Sequence, residues 1–414
     1  MIAAVLSIGT ELTRGELINS NAAWLAEQLT ALGFEVRVHV TIDDDIERIV
    51  TAILGLAAEH KIVLCTGGLG PTTDDLTTEA VARALGVPLL RDPASLDRLR
   101  SLFAARGRVM PATNEKQADF PQGAEVLAND VGTAPGFSVN LGACRLFFTP
   151  GVPREMKHLW EERILPRIAD LAVRKSYQIH FRTFGLPESQ IGQMLEGVEA
   201  MFPGVVIGYR ASFPEIELKV LARAQDARSA ERLAERAGEE VKRRVGEVIF
   251  GGREDTFAGA IGRTLRDRGV TLAVAESCTG GLVGSMLTSV PGSSDYLLLD
   301  AVVYSNSAKT SVLGVGEETL RAYGAVSEET AIAMVNGVLR VSSADIGVSI
   351  TGIAGPGGGS DEKPVGTVWI AVGSRAGAMF ARHFKFLGPR EYVRQLAAYS
   401  ALKMVQKLAL GVEP

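Results

Sequence analysis

Residues 61–85 read KIVLCTGGLGPTTDDLTTEAVARAL. Lys61–Cys65 is a short apolar run with strand character. Gly67, Gly68 and Gly70 make a loop, and Thr77–Leu85 has helical spacing with Gly86 just past its end. A strand that passes through a glycine loop into a helix is the building unit of a parallel α/β sheet, with ligand loops at the strand carboxyl ends. The same alternation extends outward. Ala3–Ile8 is an apolar run, and Asn21–Leu32 is helical through Trp24, Leu25, Leu29 and Leu32. Glu35–Val40 alternates like a strand, and Ile46–Ala58 is helical again. The pattern predicts a Rossmann-like parallel-sheet domain over residues 1–170, with helices on both faces.

Further along, the pattern changes twice. Residues 171–250 predict a small α+β connector. Gln178–Phe184 and Ile216–Arg223 alternate, and Asp226–Val245 is a charged helix with an apolar stripe at Ala230, Leu233, Ala237, Val241 and Val245. Its layout is KH-like, without the GxxG loop that would grip a phosphate backbone. After Gly251 and Gly252, residues 251–414 alternate strands and helices again and predict a second α/β domain.

The 43 basic and 48 acidic residues leave a net charge of −5. That balance gives no broad electrostatic grip on nucleic acid or acidic membrane, so direct nucleic-acid binding is not expected. No run reaches the roughly 18 apolar residues of a membrane span. The N-terminus reads as a buried strand rather than a signal peptide. Three dispersed cysteines, with no CxxC or Cys/His metal spacing, point to a reducing cytoplasm. Glycine is the unusual count, at 45 against 17 prolines, and it clusters at 67–70, 280–281 and 355–359. Such clusters suit close backbone approach to a ligand, or simply turns.

The loop at 67–70 lets backbone N–H groups and a helix N-terminus face an anion. Asp74 and Asp75 beside a phosphate call for a divalent cation that bridges carboxylate and phosphate oxygens. The same two aspartates and Thr77 also fit a helix cap. The Thr66–Ala80 segment resembles the pterin-binding signature of the molybdenum-cofactor biosynthesis fold. With Gly9-Thr10-Glu11-Leu12, Gly15, Asn19, Asn21, Asn114–Ala118, Gly132–Gly136 and Pro150–Met156, it resembles the competence/damage-inducible CinA family. The resemblance implies a metal-dependent ADP-ribose pyrophosphatase that yields AMP and ribose 5-phosphate, the metal's identity left open. It assigns metal or metal-bound water to Asp74 and Asp75, and phosphate to Gly67, Gly68 and Gly70. Glu11, Asn114 and Lys116 are further substrate-binding candidates. Glu11 and Asn114 also fit helix caps, and Lys116 a solvated surface.

The second constellation begins at Thr271–Gly281, TLAVAESCTGG, which runs strand, polar turn, helix start. Ser277 at a strand end has backbone donors nearby for an oxyanion. Glu276, Ser277 and Thr279 also fit an ordinary N-cap cluster, and Cys278 reads as a small buried residue. Tyr304–Lys309 and Thr351–Gly359 follow two further strands, and three such strand ends suggest one pocket. Lys309 fits a base if its pKa is lowered, or a phosphate-binding cation. Tyr304 also fits a core aromatic.

These three segments resemble the C-terminal nicotinamide-nucleotide amidase domain of the CinA family. The resemblance implies deamidation of nicotinamide mononucleotide (NMN) to nicotinic acid mononucleotide, without a metal. It assigns Ser277 as nucleophile, and Lys309 and Tyr304 as proton carriers. Ser294 becomes an auxiliary hydroxyl or a turn residue. Thr279, Gly280, Thr351, Gly352 and Gly355 become substrate-binding, helped by Arg390 or Arg394. It further implies a homodimer. Two positions depart from the family pattern: Leu299-Asp300 stand where a glycine pair is common, and Ser307 where an acidic residue is common. Two other readings stand beside the bifunctional hydrolase: a non-catalytic nucleotide- or pterin-binding first domain, and an adaptor in competence or DNA repair.

Overall fold

The computed structural model describes residues Met1–Pro414. The chain forms two compact units. One comprises Met1–Gln178, Phe202–Val205 and Leu221–Arg236; the other comprises Ile179–Met201, Val206–Val220 and Ala237–Pro414. No helix is long and apolar enough to cross a membrane.

The first unit is built on β1 (Ile2–Ile8), α1 (Ser20–Leu32), β2 (Glu35–Ile42), α2 (Ile46–Glu59), β3 (Ile62–Thr66), α3 (Thr77–Leu85), β4 (Glu125–Leu127), β5 (Gly136–Leu141) and β6 (Cys144–Thr149). Its six-stranded sheet runs β2-β1-β3-β6-β5-β4. Pairing is parallel from β2 through β6, then antiparallel from β6 to β5 and β4. The sheet is therefore mixed rather than wholly parallel, because β5 returns to β6 through the short turn after Leu141 instead of a crossover helix. Alternate residues of β1 serve opposite cores. Ala4, Leu6 and Ile8 pack with Ile49, Ile53, Val81 and Phe148, whereas Ala3 and Val5 pack with Leu25, Leu29 and Trp160. With both faces covered, the buried strands read as continuous apolar runs. Asn19 and Asp45 cap α1 and α2 by accepting from Ala22 N–H and Arg48 N–H.

The connector region contains β7 (Lys175–Thr183), α4 (Glu188–Met194), β8 (Val205–Ser212), β9 (Glu215–Ala224), α5 (Ala227–Val245) and β10 (Ile249–Gly251), with sheet order β8-β9-β7-β10. The buried stripe of α5 is Ala230, Ala234, Ala237, Val241 and Val245. Ala234 joins this stripe at helical spacing, and Leu233 beside it is half-buried.

The C-terminal region contains α6 (Phe257–Arg268), β11 (Leu272–Glu276), α7 (Leu282–Thr288), β12 (Leu297–Val302), α8 (Asn306–Leu313), α9 (Glu328–Ser342), β13 (Ile346–Gly352), β14 (Thr367–Ser374), β15 (Met379–Lys385) and α10 (Arg390–Ala409). The sheet order is β12-β11-β13-β14-β15, parallel over the first three strands and antiparallel over the last two. Helices α6, α7 and α10 cover one face, and α8 and α9 the other. The parallel half aligns the carboxyl ends of β11, β12 and β13, with Glu276 opposite both Val302 and Ile350.

In the first unit, Gly67 has φ +107°, and a Cβ there would lie 1.9 Å from the Ile8 carbonyl oxygen. Only glycine lets the loop cross β1 this closely. Gly67→Ala is expected to lower the unfolding free energy by about 2–4 kcal/mol, read from urea denaturation. An unchanged midpoint would contradict the close approach.

Candidate functional site

In the first unit, the carboxyl ends of β1, β3 and β6 open onto a cavity of about 570 Å³ lined by Glu11, Gly67, Gly68, Gly70, Asp74 and Asp75, among others. The loop is shaped from within. Gly67 N–H donates to the Thr149 carbonyl at 3.0 Å, and Thr77 Oγ1 donates to the Gly67 carbonyl at 3.0 Å. The N–H groups of Gly68, Leu69 and Gly70 donate to no other residue, so they remain for an anion. Asp75 Oδ2 accepts from Thr72 N–H at 2.9 Å and from the Thr72 hydroxyl. The exposed Asp74 carboxyl is held below the usual carboxylate range, chiefly by its hydrogen bond with Thr72.

Two aspartates on one loop, with no third His, Cys, Asp or Glu gathered to them, make no all-protein metal cage. They fit a hard cation that keeps waters and takes phosphate oxygens, as magnesium does.

Two expected contacts are displaced. Asn114 is buried and does not line the cavity; its amide donates to Gln117 Oε1 at 2.9 Å, and Gln117 Nε2 donates to the Leu69 carbonyl at 3.3 Å. Asn114 therefore supports the loop from behind, because the tight turn of residues 112–118 points it inward. Lys116 does reach the loop, but its ammonium donates to the carbonyls of Thr72 and Asp75, the latter at 2.9 Å, and so ties the loop together. It lines a smaller adjoining cavity with Gly68, Gly70 and Asp75. Gln117, Asp44 and Glu155 also line the main cavity; Gln117 and Glu155 lie inside the motifs, but nothing in their spacing marks them as lining.

In the second unit, Ser277 follows β11 directly, and its N–H donates to the Ile350 carbonyl at 2.9 Å. Lys309 on α8 is 1% exposed. Its Nζ lies 2.9 Å from Ser277 Oγ, 2.9 Å from the Val303 carbonyl oxygen and 3.3 Å from that of Tyr304. Burial holds its pKa below the usual lysine range. A neutral amine has two N–H bonds for the two carbonyls and a lone pair for the Ser277 hydroxyl. The N–H groups of Cys278 and Thr279, just after the serine, donate to no other residue.

A cavity of about 270 Å³ joins Ser277, Tyr304, Lys309, Thr351, Gly352, Gly355 and Arg390. Arg390 Nη1 donates to the Gly355 carbonyl at 2.7 Å, and Nη2 to the Tyr304 hydroxyl at 3.1 Å. Tyr304 thus meets Lys309 only through its carbonyl, and its phenol is engaged by Arg390. Thr351 Oγ1 donates to the Ala325 carbonyl at 2.6 Å.

Three expected residues stand outside this cavity. Gly280 N–H donates back to the Ser277 carbonyl at 3.1 Å, and this turn carries Thr279 and Gly280 away from the opening. The Thr279 hydroxyl is buried without a partner, and its carbonyl accepts from Arg394 at 2.6 Å and 3.1 Å. Ser294 is exposed just before β12, at the amino end of the sheet, because α7 carries the chain back across it.

Three family descriptions match successive segments: "Probable molybdopterin binding domain" over residues 4–170, "Damage-inducible protein CinA KH domain" over 179–251, and "CinA C-terminal domain" over 254–409. A CinA-like protein of Desulfosudis oleivorans is 44% identical over 99% of this chain and 100% of its own length. The chain belongs to the CinA family. A second CinA-like protein, from Geobacter sulfurreducens, is 42% identical over 98% of this chain and 99% of the relative. Among solved structures, the competence/damage-inducible protein CihA of Agrobacterium tumefaciens is 42% identical, covering 37% of this chain and 93% of its own, with a TM-score of 0.36. CinA of Thermoplasma acidophilum is 31% identical, covering 41% of this chain and 97% of its own, with a TM-score of 0.38.

Within this CinA-family chain, with Asp300 at the departing position, β12 pairs with β11 through one register shift, between Leu297 and Leu299, and Asp300 itself lies in register with Val274. Asp300 lies against Glu276 rather than Lys309. The three cysteines are free and buried. Burial raises all three thiols, Cys144 to about 11 and Cys278 to about 12. Native protein at neutral pH is therefore expected to take up no iodoacetamide by intact mass, against three adducts after unfolding.

Proposed function

We propose that the second unit is a serine amidohydrolase that converts NMN to nicotinic acid mononucleotide and ammonia. The observation that carries this reading is the 2.9 Å contact between the buried Lys309 Nζ and Ser277 Oγ. Ser277 Oγ bonds to the carboxamide carbon while its proton passes to Lys309. The N–H group of Cys278, which lines the cavity beside Ser277, is the candidate oxyanion donor. Lys309 returns the proton to the leaving nitrogen, the C–N bond breaks, and ammonia departs. Water, losing a proton to Lys309, then attacks the Ser277 ester; the acyl–Oγ bond breaks as Lys309 returns that proton to Ser277 Oγ, and the acid is released. Arg390 and the glycine-rich loop after Thr351 supply the positive charge and close backbone approach that suit a nucleotide phosphate.

For the first unit we propose metal-dependent hydrolysis of ADP-ribose to AMP and ribose 5-phosphate. Gly68, Leu69 and Gly70 would hold the diphosphate through N–H groups, and Asp74 and Asp75 would hold the cation. When bound, a divalent cation neutralises diphosphate charge and lowers the pKa of a coordinated water. Lys116, bonded to two loop carbonyls, keeps the loop in its receiving shape.

Ser277→Ala is expected to reduce ammonia release from NMN at least about 10³-fold, and Lys309→Met about 10²–10⁴-fold. Full turnover in either would remove the assignment. Because Lys309 acts as the neutral amine, kcat should rise with pH through a midpoint below the usual lysine value of 10.5. In the first unit, chelation of divalent metal and Asp75→Asn should each abolish AMP release from ADP-ribose. Calorimetric binding of ADP-ribose without turnover at any metal concentration would favour a binding module instead.

A further inference from the structure

Two acids stand behind the Ser277 turn, Glu276 buried and Asp300 half-buried. Glu276, at the carboxyl end of β11, is fully buried. Its Oε2 accepts from Gly281 N–H at 2.9 Å and its Oε1 from Gly284 N–H at 2.9 Å. These bonds fix the first turn of α7, and with it the path of the chain leaving Ser277. Asp300 on β12 is paired in register with Val274, two residues before Glu276, so both acids face the same side of the sheet. Asp300 packs on α7 at Gly284, where a Cβ would lie 1.9 Å from Asp300 Oδ2. Asp300 Oδ1 is sealed from solvent and receives no donor from a surrounding amide or hydroxyl group.

No cation answers this pair. Helix α7 carries no ionisable side chain. On α10, Arg394 is bound to the Thr279 carbonyl. On α6, Arg266 lies over the Tyr296 ring, which Asp295 also neighbours. Lys309 is engaged by Ser277, Val303 and Tyr304. The Cys278 thiol, pushed up to about 12, is neutral. Two unpaired carboxylates cannot both stay ionised cheaply in a dry site. A proton shared between them removes the conflict, and the two N–H bonds to Glu276 make Glu276 the side that holds the charge.

We propose that Asp300 is a positioning residue that works in its protonated form, donating to Glu276 and thereby holding the Gly281–Gly284 turn that sets the geometry of Ser277. Its activity readout rests on the hydrolytic role given above to Ser277. Burial and then the Glu276 charge push the Asp300 carboxyl up to about 7. In an unfolded chain the same carboxyl ionises near its ordinary value of 3.8. The stabilisation from the protonated pair is therefore complete below about pH 4 and is lost as pH rises to about 7. Above that, two negative charges face each other and the grip on the turn weakens.

Asp300→Asn keeps an N–H donor at every pH. The ratio of kcat for NMN deamidation at about pH 8.5 to that at about pH 6 should be at least about fivefold larger in this variant than in the parent. Asp300→Ala, with neither charge nor donor, should be slower at both pH values, its ratio again above the parent's. Melting temperature should fall between about pH 4 and 7 in the parent and not in Asp300→Asn. Equal kcat ratios in parent and Asn variant overturn the proposal. So does an Asn variant that fails to fold where the parent folds, since the donor is preserved. If no protein deamidates NMN, the role of Ser277 fails separately. The melting series still decides, and parallel pH curves for parent and Asn variant overturn the pair.

Discussion

A lysine amine taken out of water needs partners for its N–H bonds and its lone pair, and the C-terminal site is arranged around that need. Lys309 is sealed by its own helix α8 and by the end of β12, and it finds two carbonyls and one hydroxyl. Everything that places those three oxygens is a condition for the site. The parallel pairing of β11 with β12 brings Val303 level with Ser277. The Ser305 hydroxyl caps α8 by accepting from Ala308 N–H, which starts the helix where its second turn can deliver Lys309 inward. A shift of one residue in the β11–β12 register would turn the β12 side chains to the wrong face and carry the oxygens away.

The two halves of the chain solve different electrostatic problems with similar backbone. In the first unit the loop presents free N–H groups beside carboxylates, and on the proposed reading these receive an anion and a cation together. In the second, a buried amine stands beside a hydroxyl, and on the proposed reading that amine takes the hydroxyl's proton. Both sites lie at carboxyl ends of parallel strands, where helix N-termini and unpaired N–H groups gather. The antiparallel strands of each sheet extend the core and carry little of the chemistry.

Much of this was legible in the sequence. The glycine loop after Lys61–Cys65 and the strand–turn–helix around Ser277 follow from apolar runs, glycines and helix stops within a few residues of one another. Lys309 was legible by its place after a strand, although its approach to Ser277 depends on pairing that local pattern does not encode. Strand direction was not legible: β5 and β6 are buried on both faces, and such runs look alike whether parallel or antiparallel. Thr279, Gly280 and Ser294 share the motif's neighbourhood in sequence, but one tight turn and one short helix take them elsewhere. Asn114 lies in the right motif and acts one layer back. Arg390 reaches the pocket from 86 residues beyond Tyr304, a separation over which no local spacing rule operates.

The bond from Arg390 to the Gly355 carbonyl has a thermodynamic consequence. Residues 355–359 include four glycines, and glycine loses more conformational freedom on ordering than any other residue. A guanidinium anchored at the start of α10 restrains the first of those glycines before any ligand arrives. Part of the ordering cost is thereby met when the chain folds, and on the proposed reading the encounter with a nucleotide is relieved of it.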